Sequence, residues 1–317
     1  MAAALREQGV EVVPVKVPGG LRRSWQDWRT ISAAVKRERP DFVQIQYPMH
    51  YFGYSLAPAM ASLRWRAVVM LHEAVSWGRQ MPVVMGPVTL RARRVFVSSE
   101  FERAGIGRWM PWTRGKTDVV PIASNVTVSE PRERVPLRVV TFASVRPWRG
   151  IEEFVAFAAE VQRQGLPWEV RLIGDNGMLH YREFSAEMIR RGEAAGVVFT
   201  GRLPEEEVAR ELAEAAVAYF PFPEGAGERH GSLLSAFENG LPVVSTVKER
   251  TSAELAACIA VCDGSPADGV RVVGELLADA PRREALAAAG RAFVSGMTWP
   301  KVAALHVAAY ERLLAKR

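Results

Sequence analysis

The chain has 317 residues, of which 49% are hydrophobic and 24% are charged. This composition is typical of a globular protein of two domains, and no apolar run is long enough to span a bilayer. We expect no signal peptide, because the first residues lack a basic start, a long apolar core and a cleavage site. The two cysteines, Cys258 and Cys262, have no metal-type partner pair, so the sequence indicates neither a disulfide framework nor a zinc site and favours a reducing cytoplasm.

The net charge of +6 is concentrated in residues 1–130, which carry 18 Lys and Arg against 10 Asp and Glu. Six of the nine tryptophans also lie in this part, namely Trp25, Trp28, Trp65, Trp77, Trp109 and Trp112. A basic, Trp-rich domain predicts an anionic partner, either a phosphorylated acceptor or the inner face of the membrane, contacted peripherally, and we expect no nucleic acid partner. The alternative is a solvated basic face over core tryptophans, which the scattered basic residues also fit.

Strand-like and helical segments alternate along the chain. The first series of strands is predicted at 11–17, 41–47, 67–72, 94–99 and 118–122, and the second at 138–144, 168–174, 197–201, 217–222 and 242–246. Most are continuous apolar runs, which is typical of parallel strands covered on both faces. With helices between the strands, the pattern predicts right-handed βαβ units and two doubly wound α/β domains.

The polar segment 125–138 separates the two series. We interpret it as a linker between a first domain over residues 1–130 and a second over 131–298, followed by a helix over 299–317 that can pack back on the first domain. The chain opens on a helix, AAALREQ, instead of the strand that begins a doubly wound domain. We therefore expect the first sheet to lack its first strand, because it is rearranged or because the true start lies upstream.

In open parallel sheets, ligands bind beyond the carboxyl ends of the strands, and two such domains can face each other across a cleft. His72, which ends a strand and precedes Glu73, is either a site residue or a satisfied core histidine. Asn125 follows a predicted strand and Gly174 ends one, and Asp175 and Asn176 are expected to form a turn.

Two helix N-termini carry the strongest ligand signal. Arg146 and Arg149 precede one helix, and Gly231 and Ser232 open another. Free N–H groups, the helix dipole and guanidinium groups together match a diphosphate. Taken singly, Ser232 fits an N-cap and the arginines fit solvated side chains, while His230 is either structural or a phosphate donor.

Several segments resemble the retaining nucleotide-sugar glycosyltransferases of family 4, which have the GT-B fold of two Rossmann-like domains facing a cleft. FASVRPWRGIEEFVAFAAEV is similar to the first strand, loop and helix of that family's second domain, and HGSLLSAFENGLPVVST is similar to its donor-site helix and following strand. VVMLHEA resembles the first-domain strand that ends in an active-site histidine. These segments occur in the same order as in the family, and the resemblance covers most of the chain.

The resemblance implies that His72, Arg146 and Arg149 take part in catalysis, with the two arginines on the donor diphosphate. The further substrate-binding residues that we assign are Asn125, Gly174, Glu228, Arg229, His230, Gly231, Ser232 and Leu233. The family often has two glutamates eight positions apart around the donor helix, and here Gly227 and Ser235 occupy those positions. Glu228 is a candidate substitute for the first, and Arg229, Gly231 and Ser232 are expected to take over phosphate contacts.

The implied reaction moves a sugar, with retention, from a nucleoside diphosphate donor to an acceptor hydroxyl in glycan, polysaccharide or glycoconjugate biosynthesis. The acceptor, on the first domain, is a glycan, a lipid-linked molecule or a small molecule. Since arginines can stabilise the leaving diphosphate and no Asp-x-Asp pair occurs, we expect no cofactor and no metal. The alternative is a nucleotide-sugar-binding protein with little or no transferase activity; a GT-B epimerase or phosphorylase also fits the fold. A dinucleotide oxidoreductase is disfavoured, because no G-x-G-x-x-G follows a strand.

Overall fold

The computed structural model describes residues 1–47, 55–126, 128–177 and 179–315. The chain divides into two compact units. The first unit combines Met1–Ile122 with Trp299–Arg317, and the second spans Ala123–Thr298. Among the described residues, no helix is both long and apolar enough to cross a bilayer.

The described part of the first unit contains a parallel sheet in the order β1-β2-β3-β4. Its strands are β1 (Val43–Tyr47), β2 (Ala67–Leu71), β3 (Arg94–Val97) and β4 (Thr117–Val119). Its helices are α1 (Ala2–Glu7), α2 (Ser24–Glu38), α3 (Ala57–Arg64), α4 (Met81–Thr89), α5 (Glu100–Trp109) and α13 (Trp299–Leu314), with short 3-10 turns at Leu21–Arg23, Ala74–Gln80 and Pro111–Thr113.

The core of the first unit lies on the apolar runs of its central strands. Every residue of β2 is buried, and Met81 and Met85 of α4 pack against that sheet. The C-terminal helix α13 belongs to the same unit: Ala303 packs with Ala4 and Leu5 of α1, and His306 meets Phe96 edge-to-face with ring centroids 4.7 Å apart. The C-terminal helix α13 therefore packs on α1 and β3 and is part of the first unit.

The strand predicted at 11–17 is wrong, because residues 10–20 have no regular secondary structure. Val13 and Val15 are 43% and 42% exposed, and Pro14 between them has no N–H to donate to a neighbouring strand. Apolar β-branched residues do not form a strand where no partner strand covers them. Along the chain, the described sheet of the first unit thus begins with β1.

The second unit is built on a parallel sheet in the order β10-β9-β8-β5-β6-β7. Its strands are β5 (Arg138–Phe142), β6 (Glu169–Ile173), β7 (Val198–Phe199), β8 (Val217–Phe220), β9 (Val243–Thr246) and β10 (Ile259–Cys262). Its helices are α6 (Ile151–Arg163), α7 (Arg182–Ala194), α8 (Glu205–Glu214), α9 (Gly231–Glu238), α10 (Ala253–Ala256), α11 (Pro266–Ala278) and α12 (Ala280–Val294), with a 3-10 turn at Leu179–Tyr181.

The buried core of the second unit is mostly aliphatic and contains a cluster of aromatic rings. Tyr219 of β8 packs against Phe154 and Phe157 of α6, with ring centroids 6.3 and 4.4 Å away. Cys258 and Cys262 are free thiols, only 6% and 4% exposed. Because this core fixes β5 beside β8, it also fixes the loops that leave the carboxyl ends of those two strands.

Candidate active site

The sheet of the second unit has a topological switch point between β5 and β8. These strands are neighbours, but the chain leaves β5 toward β6 on one side and reaches β8 from β7 at the far edge. Ligands bind at such a point because the loops diverge there and leave a crevice. The loop after β5 carries Arg146 and Arg149, and the loop after β8 carries the residues from Pro221 to His230.

Gly150 brings these two loops together. Its φ angle is +76°, and a Cβ atom at this position would lie 2.5 Å from the carbonyl oxygen of Pro221. Only glycine tolerates both the left-handed backbone and so close an approach. Arg149, the preceding residue, is therefore held beside the loop that carries Arg229 and His230.

Helix α9 offers backbone N–H groups at the end of the β8 loop. Leu234 donates its N–H to the carbonyl oxygen of His230, so Gly231, Ser232 and Leu233 hold the first-turn N–H groups that have no acceptor within the helix. Outside its own helix backbone and chain neighbours, no atom of the described residues lies within 4 Å of the point where a Gly231 Cβ would be, so this side of the turn is open. The side chain of Leu233 is fully buried, so Leu233 can contact a ligand only through its backbone N–H.

Ser232 does not cap this helix. The N-cap residue is His230, and no side chain makes the capping hydrogen bond. The N-cap alternative for Ser232 is wrong because the helix begins at Gly231, which places Ser232 inside the first turn.

His230 is the buried centre of the loop, with 5% of its surface exposed. Its Nδ1 accepts a hydrogen bond from the N–H of Gly227 at 3.2 Å, and its ring stacks on Phe222 with centroids 3.9 Å apart. Burial, with the positive charges of Arg229, Arg149 and Arg250, holds the pKa of His230 well below its usual range. The imidazole is therefore neutral, and a proton on Nε2 leaves Nδ1 free to accept.

Arg229 and Arg250 flank His230 and share one carboxylate. The Nη2 atoms of both guanidinium groups lie 3.0 and 2.6 Å from Oε2 of Glu224. The arginine side chains are 14% and 12% exposed, whereas that of Glu224 is 54% exposed. Two nearly buried cations thus converge on one half-exposed anion beside the open turn of α9.

Arg250 is a candidate site residue that the sequence analysis did not predict. It lies in the loop after β9, which is fixed to the β8 loop by a hydrogen bond of 2.6 Å from Thr251 Oγ1 to the Ala226 carbonyl oxygen. The signal was available, because β9 is a buried strand and its carboxyl end lies at the same sheet edge as those of β5 and β8. The rule that ligands bind beyond the carboxyl ends of parallel strands, applied to β9, predicts Arg250 as a candidate.

The structure places the remaining predicted donor residues less centrally. Arg146 is half-buried in the loop after β5, and Glu228 is half-buried beside Arg229. Gly174, with φ +133°, lies so close to the Ala143 carbonyl group that a Cβ atom would not fit. Asn125 is exposed at a bend that follows Ser124.

Ser235, at the position of a family glutamate, is turned into the unit. It is 2% exposed, its Oγ lies 2.9 Å from Oγ of Ser124, and it donates to the Gly231 carbonyl oxygen at 2.8 Å. Burial raises the pKa of Glu238, one turn further along α9, and a hydrogen bond with Ser124 lowers it in part. A hydroxyl pair therefore occupies the place of the expected carboxylate.

His72 lies in the first unit, at the carboxyl end of β2. Its Nε2 is 2.9 Å from Oε1 of Gln46 on β1, and its N–H donates to the Tyr47 carbonyl oxygen at 3.1 Å. Burial lowers the pKa of His72, and the charge of Glu73 raises it in part. An amide oxygen as partner places the proton on Nε2 and leaves Nδ1 as an acceptor. Gln46 is a second residue that the sequence reasoning missed.

Glu73 has a left-handed backbone, with φ 53°. Such a conformation is unfavourable for a residue with a side chain and is common at functional sites. It directs the chain away from β2 directly after His72.

Comparisons with protein families agree with this arrangement. The family described as Glycosyl transferases group 1 matches residues 136–295, and the one described as Glycosyl transferase 4-like domain matches residues 2–123. The chain belongs to the group 1 glycosyltransferases. It is thus a nucleotide-sugar glycosyltransferase, which confirms the predicted family and enzyme class. A comparison with curated protein sequences gives no match.

Solved structures of low sequence identity share the fold of this glycosyltransferase. Sucrose-phosphate synthase from Thermosynechococcus elongatus is 17% identical, with a TM-score of 0.74 over 94% of this chain and 79% of that one. HepE from Anabaena, in complex with UDP and glucose, is 17% identical, with a TM-score of 0.70 over 98% and 88%. A glycosyltransferase from Rickettsia africae is 10% identical, with a TM-score of 0.69 over 99% and 87%. These similarities confirm the predicted GT-B fold.

Proposed function

We propose that the second unit binds the donor diphosphate with Arg149, Arg229 and Arg250 as its cationic contacts. The observation that carries this proposal is the convergence of the three positive charges on the buried, neutral His230 at the N-terminus of α9. A diphosphate carries charges that match several guanidinium groups, and free N–H groups at a helix N-terminus add to the attraction. The complex of HepE with UDP makes uridine diphosphate the first nucleotide to test.

The same groups would stabilise the leaving group during transfer. When the bond between the sugar and the diphosphate breaks, negative charge develops on the diphosphate oxygen, and preformed cations at that oxygen lower the barrier. Arg146 and the N–H groups of Gly231, Ser232 and Leu233 would share this charge. We propose on this basis that transfer needs no metal ion. From the resemblance to family 4 alone, we also propose that it proceeds with retention at the anomeric carbon.

His72 would act on the sugar or on the acceptor. Its neutral ring, oriented by Gln46, offers Nδ1 to a hydroxyl group of the bound molecule. We assign the acceptor, a glycan, a lipid-linked molecule or a small molecule, to the first unit, in glycan, polysaccharide or glycoconjugate biosynthesis.

Two measurements test this function. Titration with pyrophosphate, which carries no base or sugar, should give weaker binding by about tenfold to a hundredfold for Arg149→Ala, Arg229→Ala and Arg250→Ala, since a charged hydrogen bond contributes about 1.5–3 kcal/mol. The control is Arg210→Ala on the exposed surface of α8. Unchanged affinity in all three site variants would place the diphosphate elsewhere.

The second measurement is transfer from UDP-sugars to a panel of acceptors, with the product configuration read by NMR. We expect retention, and we expect the rate in EDTA to equal the rate without it. An inverted product, or loss of activity in EDTA that added divalent metal restores, would overturn that part of the proposal.

A further inference from the structure

Two segments of the first unit form a surface that the donor site does not explain. Residues 89–93 and 107–116 contain no acidic residue and five basic ones: Arg91, Arg93, Arg108, Arg114 and Lys116. They also contain Leu90, Trp109 and Trp112. We call these two segments together the basic tryptophan face.

The fold joins the two segments into one surface. Lys116 Nζ donates to the carbonyl oxygens of Thr89 and Leu90 at 2.8 and 3.0 Å, and Trp112 Nε1 donates to Thr89 Oγ1 at 3.2 Å. The first segment leads into β3 and the second into β4, so the face lies at the amino ends of these strands. His72 follows the carboxyl end of β2, which is the opposite edge of the same parallel sheet.

Three large apolar side chains of the face are exposed. Leu90 is 56% exposed, and Trp109 and Trp112 are each 37% exposed. The guanidinium group of Arg108 lies over the ring of Trp109, 5.8 Å from its centroid. Large apolar side chains grouped on a surface mark an interaction site more often than single ones do.

The basic side chains of the face differ from the paired arginines elsewhere in the described part of the chain. Among the described residues, no carboxylate forms an ion pair with Arg91, Arg93, Arg108 or Arg114, all of which are exposed. Glu100 lies near Arg108 and Arg114 around a shallow pocket, but it pairs with Arg103 at 2.6 Å. The face therefore combines positive charge with exposed tryptophan.

We propose that the basic tryptophan face docks this enzyme on an anionic lipid surface. Tryptophan is enriched at the boundary between headgroups and hydrocarbon, because its large ring is mostly apolar and polarisable. Arginines around it meet the phosphate groups, and their attraction depends on the negative charge of the lipid. This combination fits a bilayer better than a nucleic acid or an acidic protein. The proposal is independent of the donor site, which lies in the other unit.

The test is co-sedimentation of the full chain with vesicles of phosphatidylcholine alone or mixed with phosphatidylglycerol. We expect binding to the mixed vesicles and a steep loss at high salt, since the Debye length falls from about 8 Å at physiological salt to about 3 Å at 1 M. One basic side chain near such a surface contributes roughly fivefold to affinity. The double variant Arg108→Glu/Arg114→Glu should thus lose at least about 25-fold, and Trp109→Ser should weaken the binding that persists in salt.

The matched control is Arg202→Glu/Arg210→Glu, which reverses two exposed arginines of the second unit. All variants are first checked for an unchanged melting temperature and unchanged pyrophosphate affinity, so that misfolding and failure of the donor site are recognised separately. Equal loss in site and control variants, or equal binding to both kinds of vesicle, would overturn the proposal. So would a wild type that binds RNA or self-associates through this face but binds neither vesicle.

Discussion

Arg229 and Arg250 donate to the same carboxylate oxygen of Glu224, although they come from loops that follow different strands, β8 and β9. A negatively charged group thus already lies between the two guanidinium groups. A diphosphate that binds here competes with Glu224 for both cations, and its affinity reflects the difference between the two interactions.

We expect Glu224→Gln to raise the affinity for pyrophosphate by about fivefold, because a half-exposed ion pair contributes up to about 1 kcal/mol. The measurement is calorimetric titration at low ionic strength. Glu187→Gln is the control, since Glu187 pairs with Arg190 on the exposed surface of α7. A loss of affinity in Glu224→Gln would show that the carboxylate positions the arginines and does not compete with the ligand.

Gly150→Ala should impair both stability and donor binding. A left-handed residue with a Cβ atom costs about 1–2 kcal/mol, and the contact with the Pro221 carbonyl group adds about 1–3 kcal/mol or displaces Arg149. Gly165→Ala separates the two effects, because Gly165 has φ +64° with nothing within 4 Å. Urea unfolding and pyrophosphate titration of both variants check this. Similar losses in the two proteins would mean that the close contact of the loops is unimportant.

Gln46 is expected to act as a positioning residue for His72. Gln46→Leu should lower kcat about tenfold and leave the KM for the donor unchanged, because the arginines of the proposed donor site lie in the other unit. Gln46→Glu puts a negative charge beside the imidazole and raises the pKa of His72, so the acid limb of the kcat profile should move to higher pH. A purely structural role would predict lower stability in both variants with no shift of the profile.

His306 should make stability depend on pH. Burial, with a smaller effect of the N-terminal ammonium group, lowers the pKa of His306 to about 4. Since the unfolded chain binds the proton near pH 6.5 and the folded chain does not, the contribution is fully present above pH 6.5 and is lost as the pH falls toward 4. The free energy of unfolding should fall by about 3 kcal/mol over this range.

Urea unfolding of the wild type and of His306→Leu at both ends of this range measures that contribution. The variant removes the titrating group, so its unfolding free energy should depend less on pH even if its overall stability is lower. Identical pH dependence in the two proteins would contradict the assignment.

The sequence predicts the fold well where buried apolar runs dictate it. β2, β3, β5 and β8 lie within the predicted runs, because continuous burial leaves little choice of structure. It fails at residues 11–17, where the pattern is similarly apolar but the described part of the chain provides no strand that pairs with it. β4 ends at Val119, before Pro121, which cannot donate to a ladder.

The site is predictable in part for a related reason. Arg149, Arg229 and His230 are predicted as candidates because they stand next to strand ends or helix starts in the sequence, and the structure brings them together. Arg250 follows the buried strand β9, so the rule that ligands bind at the carboxyl ends of parallel strands predicts it. Gln46 matters through a partner distant along the chain, His72, and no local pattern reveals such a pair. The capping role of Ser232 was misplaced because helix boundaries shift by a residue without any change in periodicity.

The two buried thiols of the second unit can report how often that unit opens. Both cysteines lie in that unit, the first unit contains none, and burial raises the pKa of each thiol, so reactive thiolate is scarce in the folded state. The rate at which a thiol reagent labels the native protein therefore reports the opening of the second unit alone. A nucleotide that binds this unit only when it is closed should slow the labelling in proportion to its occupancy, without any mutation, dye or assay of sugar transfer.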